Sequence, residues 1–167
     1  MLVETHPIET HESASVNATV VLASIPSDSH MWNLVFLEML LTEAGHTVIN
    51  LGPCTPPQLV VDAVDEHSAS AVVISSVNGH AHLDAPAIAS ALRQRQRNND
   101  LTLIIGGKIG VHGDANIQHA PNLINAGFNA VFESTSTPIS TQKRELMKLL
   151  RASDSAPVSR SEKGELE

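Results

Sequence analysis

Apolar residues cluster in short runs along the chain, separated by longer amphipathic segments. The runs are rich in Val, Ile and Ala and are apolar nearly throughout, which is typical of strands buried on both faces. They cover residues 18–25, 47–51, 71–75, 101–106 and 130–132. Each run therefore predicts one short β-strand.

The segments between the runs have the residue spacing of helices. In the first of them Leu34, Leu37 and Leu41 recur every three or four residues, and Gly45 follows as a stop signal. The predicted helices cover residues 32–44, 56–66, 85–97, 115–126 and 138–150. Regular alternation of strand and helix predicts an α/β fold, a doubly wound five-stranded parallel sheet that binds ligands at the carboxyl ends of its strands.

Length and composition favour a single domain. The chain has 167 residues, of which 42% are hydrophobic. This is long enough to bury one hydrophobic core but short for two. Residues 1–17 and 152–167 are polar and lack apolar periodicity, so we expect disordered tails on either side of a domain at 18–151. Aromatic residues make up only 2%, which favours aliphatic α/β layers over an all-β sandwich.

Charge and cysteine content exclude several classes of protein. The net charge is −8, whereas binding to nucleic acid requires a basic face. The single cysteine, Cys54, cannot form an internal disulfide and is compatible with a reducing compartment. No apolar run approaches the ~18 residues of a membrane span, and the N-terminus does not resemble a signal peptide. We therefore expect a cytoplasmic protein with no membrane or nucleic-acid partner.

The loop after the first predicted strand contains Asp28 and His30. A histidine that binds a metal is commonly held in one tautomer by a carboxylate on its other ring nitrogen, and this contact raises its basicity. Asp28 and His30 suit that arrangement. The alternative for Asp28 is a simple cap on the following helix.

Two other predicted strands end in residues suited to a ligand. The third runs into Ser75 and Val77, and the fourth into Gly106 and Gly107. A diglycine removes side chains where a flat or bulky group must approach the backbone, although a turn with a close helix–strand contact has the same composition. These features and the Asp28 loop fall on one edge of one predicted sheet, which favours a shared site.

Taken together, Asp28-x-His30, Ser75-x-Val77 and Gly106-Gly107 resemble the cobalamin-binding signature of mutases and methionine synthase. More closely, the chain resembles the small subunit of glutamate mutase, also called methylaspartate mutase. The similarity includes residues 43–52, 126–132 and 134–138, and it covers roughly residues 18–150.

This resemblance implies a flavodoxin-like (Rossmann-like) domain that binds cobalamin. His30 would be the lower ligand of cobalt, with Asp28 on its far nitrogen, and the displaced nucleotide tail of the cofactor would enter a slot between sheet and helices. Ser75 and Val77 would line that slot, with the Ser75 hydroxyl donating to the benzimidazole nitrogen. The full set of implied cofactor-binding residues is Asp28, Ser29, His30, Met31, Ser75, Val77, Gly106, Gly107, Ser134 and Thr135.

The resemblance also implies an activity. The chain would be the isomerase component of an adenosylcobalamin-dependent carbon-skeleton mutase, converting glutamate to 3-methylaspartate or rearranging a close analogue. Beyond the cobalt ligand we expect no catalytic residue in this chain, because the family holds its substrate on a large barrel-type subunit. Catalysis would then require that partner.

Two residues depart from the family pattern, and two other functions stay open. Asn33 replaces the usual Gly three residues after the histidine, and Asn78 stands where a Tyr is common. The chain could instead be a corrinoid carrier for methyl transfer, although such carriers usually have a preceding helical domain. It could also be a cofactor-free flavodoxin-like interaction module with a decayed site.

Three further histidines follow the third and fourth strands and raise the possibility of zinc. His80, His82 and His112 fall at the same sheet edge as His30. We favour solvated loop histidines, or histidines that face the cofactor or partner, over a zinc site.

Overall fold

The computed structural model describes residues 17–95, 100–134 and 138–154. The strands are β1 (Thr19–Ser24), β2 (Thr47–Asn50), β3 (Ala71–Ser76), β4 (Thr102–Gly107) and β5 (Ala130–Glu133). The helices are α1 (Trp32–Glu43), α2 (Pro57–His67), α3 (Ala81–Arg93), α4 (Ala120–Ala126) and α5 (Ile139–Asp154), and a 3-10 segment covers Gly113–His119. The predicted alternation of strand and helix is confirmed.

All five strands are parallel and lie in the order β2-β1-β3-β4-β5, which is the flavodoxin-like arrangement. Strand order reverses between β1 and β3, so the crevice at their carboxyl ends is the expected ligand site. Every residue of β3 is buried, whereas β2 and β5 are only partly buried because they form the two edges. The prediction that all five strands are buried on both faces is therefore wrong for the edge strands.

The two faces of the sheet are covered by different helices. Helices α2, α3 and α4 pack on one face through a core that includes Val60, Ile88 and Leu123. Helices α1 and α5 cover the other face, where Leu34 and Leu146 join a smaller core. The sheet is thus the middle of three layers, with fewer helices on the α1–α5 side.

Local sequence explains how α1 ends. Gly45 has a φ of +91°, a left-handed conformation that glycine adopts at little cost, and it lies where a helix commonly stops. The N–H of Gly45 donates to the carbonyl of Thr42, and the N–H of His46 donates to that of Leu41. These bonds satisfy carbonyls that the helix leaves free and turn the chain towards β2.

Two helix boundaries differ from the prediction. Helix α3 begins at Ala81 instead of residue 85, because its first turn is held from outside by the N–H of His82 donating to the Ile109 carbonyl at 3.1 Å. The predicted helix 115–126 is a 3-10 segment followed by α4, and Asn116 ties that segment to Gly110 and His112. Both differences depend on contacts with the loop after β4.

The tails lie largely outside the described residues. Helix α5 continues to Asp154 and includes the first residues of the segment 152–167 that the sequence assigned to a tail. Residues 1–16 and 155–167 are outside the described ranges. Among the helices of the described ranges, none has the length and apolar character needed to cross a membrane.

The end of α3 is joined to β4 and β5 by one guanidinium group. Arg93 donates from Nη1 to the carbonyl of Leu101 at 3.0 Å, from Nε and Nη2 to that of Gly127, and from Nη2 to the side chain of Asn129 at 2.9 Å. Partial burial lowers the pKa of Arg93 from its ordinary value. The planar fork therefore connects the end of α3 to the start of β4 and to the turn before β5.

We predict that Arg93→Ala lowers the free energy of unfolding by about 2 kcal/mol, because it leaves partly buried carbonyls without donors. Arg93→Lys should recover less than half of the loss, since one ammonium cannot reproduce the fork. Urea unfolding followed by far-ultraviolet circular dichroism measures both. Arg144, exposed on α5, is the matched control, and its replacement by Ala should change stability by less than about 0.5 kcal/mol. Equal effects at both positions would contradict the assignment.

Candidate functional site

The centre of the site is the carboxylate of Asp28, which is 1% exposed. Its Oδ1 accepts from the N–H of His30 at 3.0 Å and lies 2.6 Å from the ring Nδ1 of the same residue. Its Oδ2 accepts from the N–H groups of Val77 at 2.5 Å and Asn78 at 3.2 Å. One side chain thus joins the loop after β1 to the loop after β3, across the point where strand order reverses.

The loop after β1 is held by its backbone as well. The carbonyl of Asp28 accepts from the hydroxyl of Ser24 at 2.9 Å and from the N–H of Cys54 at 2.9 Å. Asn78 donates from its side chain to the carbonyl of Ser27 at 2.9 Å. Asp28 is therefore positioned from three neighbouring segments and does not act as a cap on α1, whose N-cap residue is Met31.

Two opposing effects act on the pKa of Asp28. Burial raises it, but hydrogen bonds from Val77, His30 and Asn78 outweigh burial and lower the pKa below the ordinary value of an aspartate. An ionised carboxylate can only accept hydrogen bonds, so Nδ1 of His30 carries a proton. In the neutral ring the lone pair is then on Nε2.

The ring of His30 is open on that Nε2 side. Its side chain is 56% exposed, and no described residue hydrogen-bonds Nε2. A histidine fixed at Nδ1 by a carboxylate and open at Nε2 has the geometry of a metal ligand. The arrangement can therefore supply one nitrogen ligand to a metal that arrives from outside.

A cavity of about 500 Å³ lies between the sheet and helices α1 and α5. Its wall is mostly apolar, and the volume falls in the range of small-molecule sites, roughly 300–1,000 Å³. The residues that line it are Phe36, Leu37, Leu40, Glu43, Val73, Ile74, Ser75, Ile104, Gly106, Gly107, Phe132, Ser134, Ile139, Ser140, Gln142, Lys143 and Leu146. The cavity occupies the sheet face that α1 and α5 cover.

The floor of the cavity is a row of residues across three strands. Ser75 on β3 is paired in register with Gly106 on β4, and Gly106 with Phe132 on β5. A Cβ atom at Gly106 would lie 3.4 Å from the Cβ of Phe132, an ordinary contact. Packing within the chain therefore does not require glycine at this position, and its missing side chain leaves room in the cavity.

Gly107 has a different reason to be glycine. Its φ is +107°, and a Cβ atom there would lie 2.0 Å from the carbonyl oxygen of Ser76. The backbone turns here so that the N–H of Lys108 can donate to that same oxygen at 2.7 Å. The backbone conformation requires glycine at Gly107. At Gly106 it does not, and the missing side chain there leaves space for a ligand.

One contact was not predicted from the sequence. The side-chain nitrogen of Asn33, in the first turn of α1, donates to the hydroxyl of Ser75 at 2.5 Å. In the sequence Asn33 is only a departure from the family pattern, because its contact with Ser75 depends on how α1 packs over β3. The replacement thus places a polar group directly on a cavity residue.

The remaining expected residues are placed as follows. Ser29 and Met31 are exposed on either side of His30, and Ser134 is exposed at the cavity wall. Val77 is not among the residues that line the cavity, in contrast to the expected role, and instead its N–H supports Asp28. Thr135 lies outside the described residues.

The structure does not support the zinc hypothesis. Within the described ranges no group of three or more His, Cys, Asp or Glu side chains could hold a metal ion, so His80, His82 and His112 do not form one. The ring of His82 stacks on that of His119, with 4.2 Å between centroids, and its Nδ1 lies 3.0 Å from the carbonyl of Ile109.

Comparison with known proteins gives consistent matches. The B12 binding domain family matches residues 18–121. The chain is 34% identical to glutamate mutase sigma subunit 2 of Haloarcula marismortui over 120 residues, 72% of this chain and 80% of that one. It is 30% identical to the glutamate mutase sigma subunit of Halobacterium salinarum over 142 residues, covering 78% of this chain and 93% of that one.

A solved structure gives the same indication. The chain is similar to a novel cobalamin-binding protein from Desulfitobacterium hafniense, with a TM-score of 0.59 and 27% identity, covering 80% of this chain and 59% of that one. The resemblance found in the sequence is confirmed. The chain belongs to the B12-binding domain family and, within it, to the glutamate mutase sigma subunits.

Proposed function

We propose that this chain is the small, cobalamin-binding subunit of an adenosylcobalamin-dependent mutase that rearranges the carbon skeleton of glutamate or a close analogue. Its place among the glutamate mutase sigma subunits supports an isomerase component with cobalamin as cofactor. The observation that carries the proposal is His30, held at Nδ1 by Asp28 and open at Nε2. It follows β1 at the carboxyl edge of the sheet, the edge at which Ser75 and Gly106 line a cavity of about 500 Å³. His30 would be the lower ligand of cobalt.

The described residues fit the two parts of a corrinoid. The exposed ring of His30 offers a nitrogen to cobalt, and the cavity between α1 and α5 has room for the nucleotide tail that the histidine would displace. Gly106 leaves space in the cavity floor, and the hydroxyl of Ser75 can donate to a ring nitrogen of the tail. Ser134 stands at the cavity wall, and we propose Thr135, which is outside the described residues, as a further cofactor contact on the family resemblance alone.

Each residue then has a definite task. When bound, adenosylcobalamin supplies the radical chemistry by cleavage of its cobalt–carbon bond. His30 would hold the metal through Nε2, and Asp28 fixes the tautomer and orientation of the ring. The apolar cavity wall would exclude water from the tail, and the rigid sheet beneath it would help to orient the cofactor.

A larger catalytic subunit, of barrel type, would complete the enzyme. Met31 and Trp32 follow His30 directly and are 57% and 85% exposed, so two large apolar side chains lie on the surface next to His30 in sequence. Exposed apolar groups of this size at a binding edge mark a surface that another molecule covers. The corrin ring and the partner subunit together are the proposed cover, and the cytoplasm is the proposed compartment.

The first test examines His30 by electron paramagnetic resonance of bound cob(II)alamin. With histidine labelled by ¹⁵N, the nitrogen splitting should change from triplets to doublets, which only a protein ligand can cause. His30→Ala should abolish this labelled signal, and His80→Ala, an exposed histidine near the same edge, should retain it. Splitting insensitive to the label would mean that the cofactor keeps its own base, and would overturn the histidine assignment.

A second prediction concerns Asp28. Asp28→Asn should weaken cobalamin binding about tenfold to a hundredfold, because the amide can no longer accept from both loops and hold the His30 ring. Equilibrium dialysis with corrin absorbance measures the affinity. Asp62→Asn, at an exposed position of α2, is the matched control and should bind as the unchanged chain does. An unchanged affinity for Asp28→Asn would contradict the positioning role.

A third prediction distinguishes binding of the nucleotide tail from binding of the corrin ring. Gly106→Val should fold normally, since a Cβ there makes an ordinary contact, but its side chain should fill the cavity floor. Binding of cobalamin should fall at least about tenfold, which corresponds to ~1.4 kcal/mol. Binding of cobinamide, which lacks the nucleotide tail, should be unchanged in the same dialysis. Equal losses for both ligands would show that the cavity does not hold the tail.

A further inference from the structure

Each polar group of Ser27, the residue before Asp28, has a partner near the start of α3. The Ser27 carbonyl accepts from Nδ2 of Asn78 at 2.9 Å, and its hydroxyl oxygen accepts from the same nitrogen at 3.2 Å. The N–H of Ser27 donates to Oδ2 of Asp84, in the first turn of α3, at 3.3 Å. One residue of the loop after β1 is therefore held at both of its ends by side chains 51 and 57 positions further along the chain.

The amide of Asn78 can take only one orientation. Its Oδ1 accepts from the N–H of His80 at 2.9 Å, and its Nδ2 faces the Ser27 carbonyl. A main-chain N–H can only donate and a carbonyl can only accept, so exchanging the two ends of the amide would break both bonds. Asparagine suits this position because it supplies a donor and an acceptor on one short side chain.

These hydrogen bonds contribute more to the geometry of the loop than to the stability of the fold. Ser27 is exposed, and Asn78 and Asp84 are partly exposed, so water can replace each bond and its net contribution to folding is small. Of residues 27–30 only Asp28 is buried, so burial fixes one residue of the stretch. Hydrogen bonds from neighbouring elements therefore decide where the rest of it lies.

We propose that Asn78 and Asp84 are positioning residues for the cobalt ligand, an inference that rests on the proposed function. Acting through the main chain of Ser27, their side chains fix the path of the loop and with it the place from which His30 presents Nε2. Asp28 has a different task, because it bonds the His30 ring directly and sets its tautomer and rotation. The ring is thus oriented by one carboxylate, and the backbone that carries it is placed by the two residues near α3.

The test measures binding of cobalamin and of cobinamide to the full chain by equilibrium dialysis. Asn78→Ala should weaken binding of both corrinoids by the same factor, about tenfold, because it removes two bonds that place the ligand and none in the tail cavity. Asp84→Ala should weaken both about threefold, for one bond lost. Asp84→Asn should bind within about twofold of the unchanged chain, since its amide oxygen still accepts from Ser27.

Electron paramagnetic resonance of cob(II)alamin bound to chain with ¹⁵N-labelled histidine gives a second readout. Asn78→Ala should broaden the nitrogen doublets of His30, because the ring then occupies a range of positions, and Asp84→Asn should leave them sharp. Thermal unfolding of the free chain should shift by less than about 3 °C in each variant, since the lost bonds are accessible to water. Asn122→Ala and Asp62→Ala, at exposed positions of α4 and α2, are the matched controls and should behave as the unchanged chain does.

Unchanged affinity and sharp doublets in Asn78→Ala and Asp84→Ala would overturn the positioning role while leaving the proposed function intact. A loss confined to cobalamin would assign Asn78 to the tail and overturn it as well. Equal losses in Asp84→Ala and Asp84→Asn would show that the charge of Asp84 matters and not its bond to Ser27, which contradicts the proposal. Failure of the unchanged chain to bind either corrinoid would overturn the proposed function itself.

Discussion

The site depends on one buried carboxylate. Asp28 is almost fully buried, which is costly for a charge unless its oxygens are hydrogen-bonded, and the chain meets that requirement by bringing four donors from two loops to one side chain. Those donors come from the segments after β1 and β3, which meet only because the two strands are adjacent in a parallel sheet. The orientation of His30 and the lowered pKa of Asp28 are therefore consequences of the same set of bonds, which the fold makes possible.

Most of the fold could be predicted from sequence because its strands are short apolar runs with helices between them. Central strands are buried on both faces, so their composition alone identifies them, as β3 illustrates. The predicted helix boundaries are wrong where tertiary contacts override the local preference for helix. The first turn of α3 is held by the Ile109 carbonyl, and the 3-10 segment before α4 is held by Asn116, neither of which leaves a periodic pattern. The burial of the edge strands was also predicted wrongly, because the sequence does not show which strands lie at the edges.

The candidate site was predictable in its residue types but not in its contacts. Asp28, His30, Ser75 and Gly106 stand at the sheet edge that the strand pattern and the family resemblance indicate. The sequence does not distinguish Gly106 from Gly107. Only Gly107 is required by the backbone, because it has a left-handed φ and a Cβ atom there would clash with a carbonyl oxygen on β3. Likewise, the contribution of Val77 is its N–H and not its side chain, and no residue pattern distinguishes these.

The uneven covering of the sheet explains why the cavity exists where it does. Three helices pack on one face, and their core includes residues from all of them. On the other face α1 and α5 leave a cavity over part of the row Ser75, Gly106 and Phe132. Protein interiors are otherwise close-packed, so an apolar group inserted here completes a layer that the chain leaves open. Binding would then stabilise the fold as well as orient the cofactor, because a ligand held only by the native state adds its binding free energy to folding.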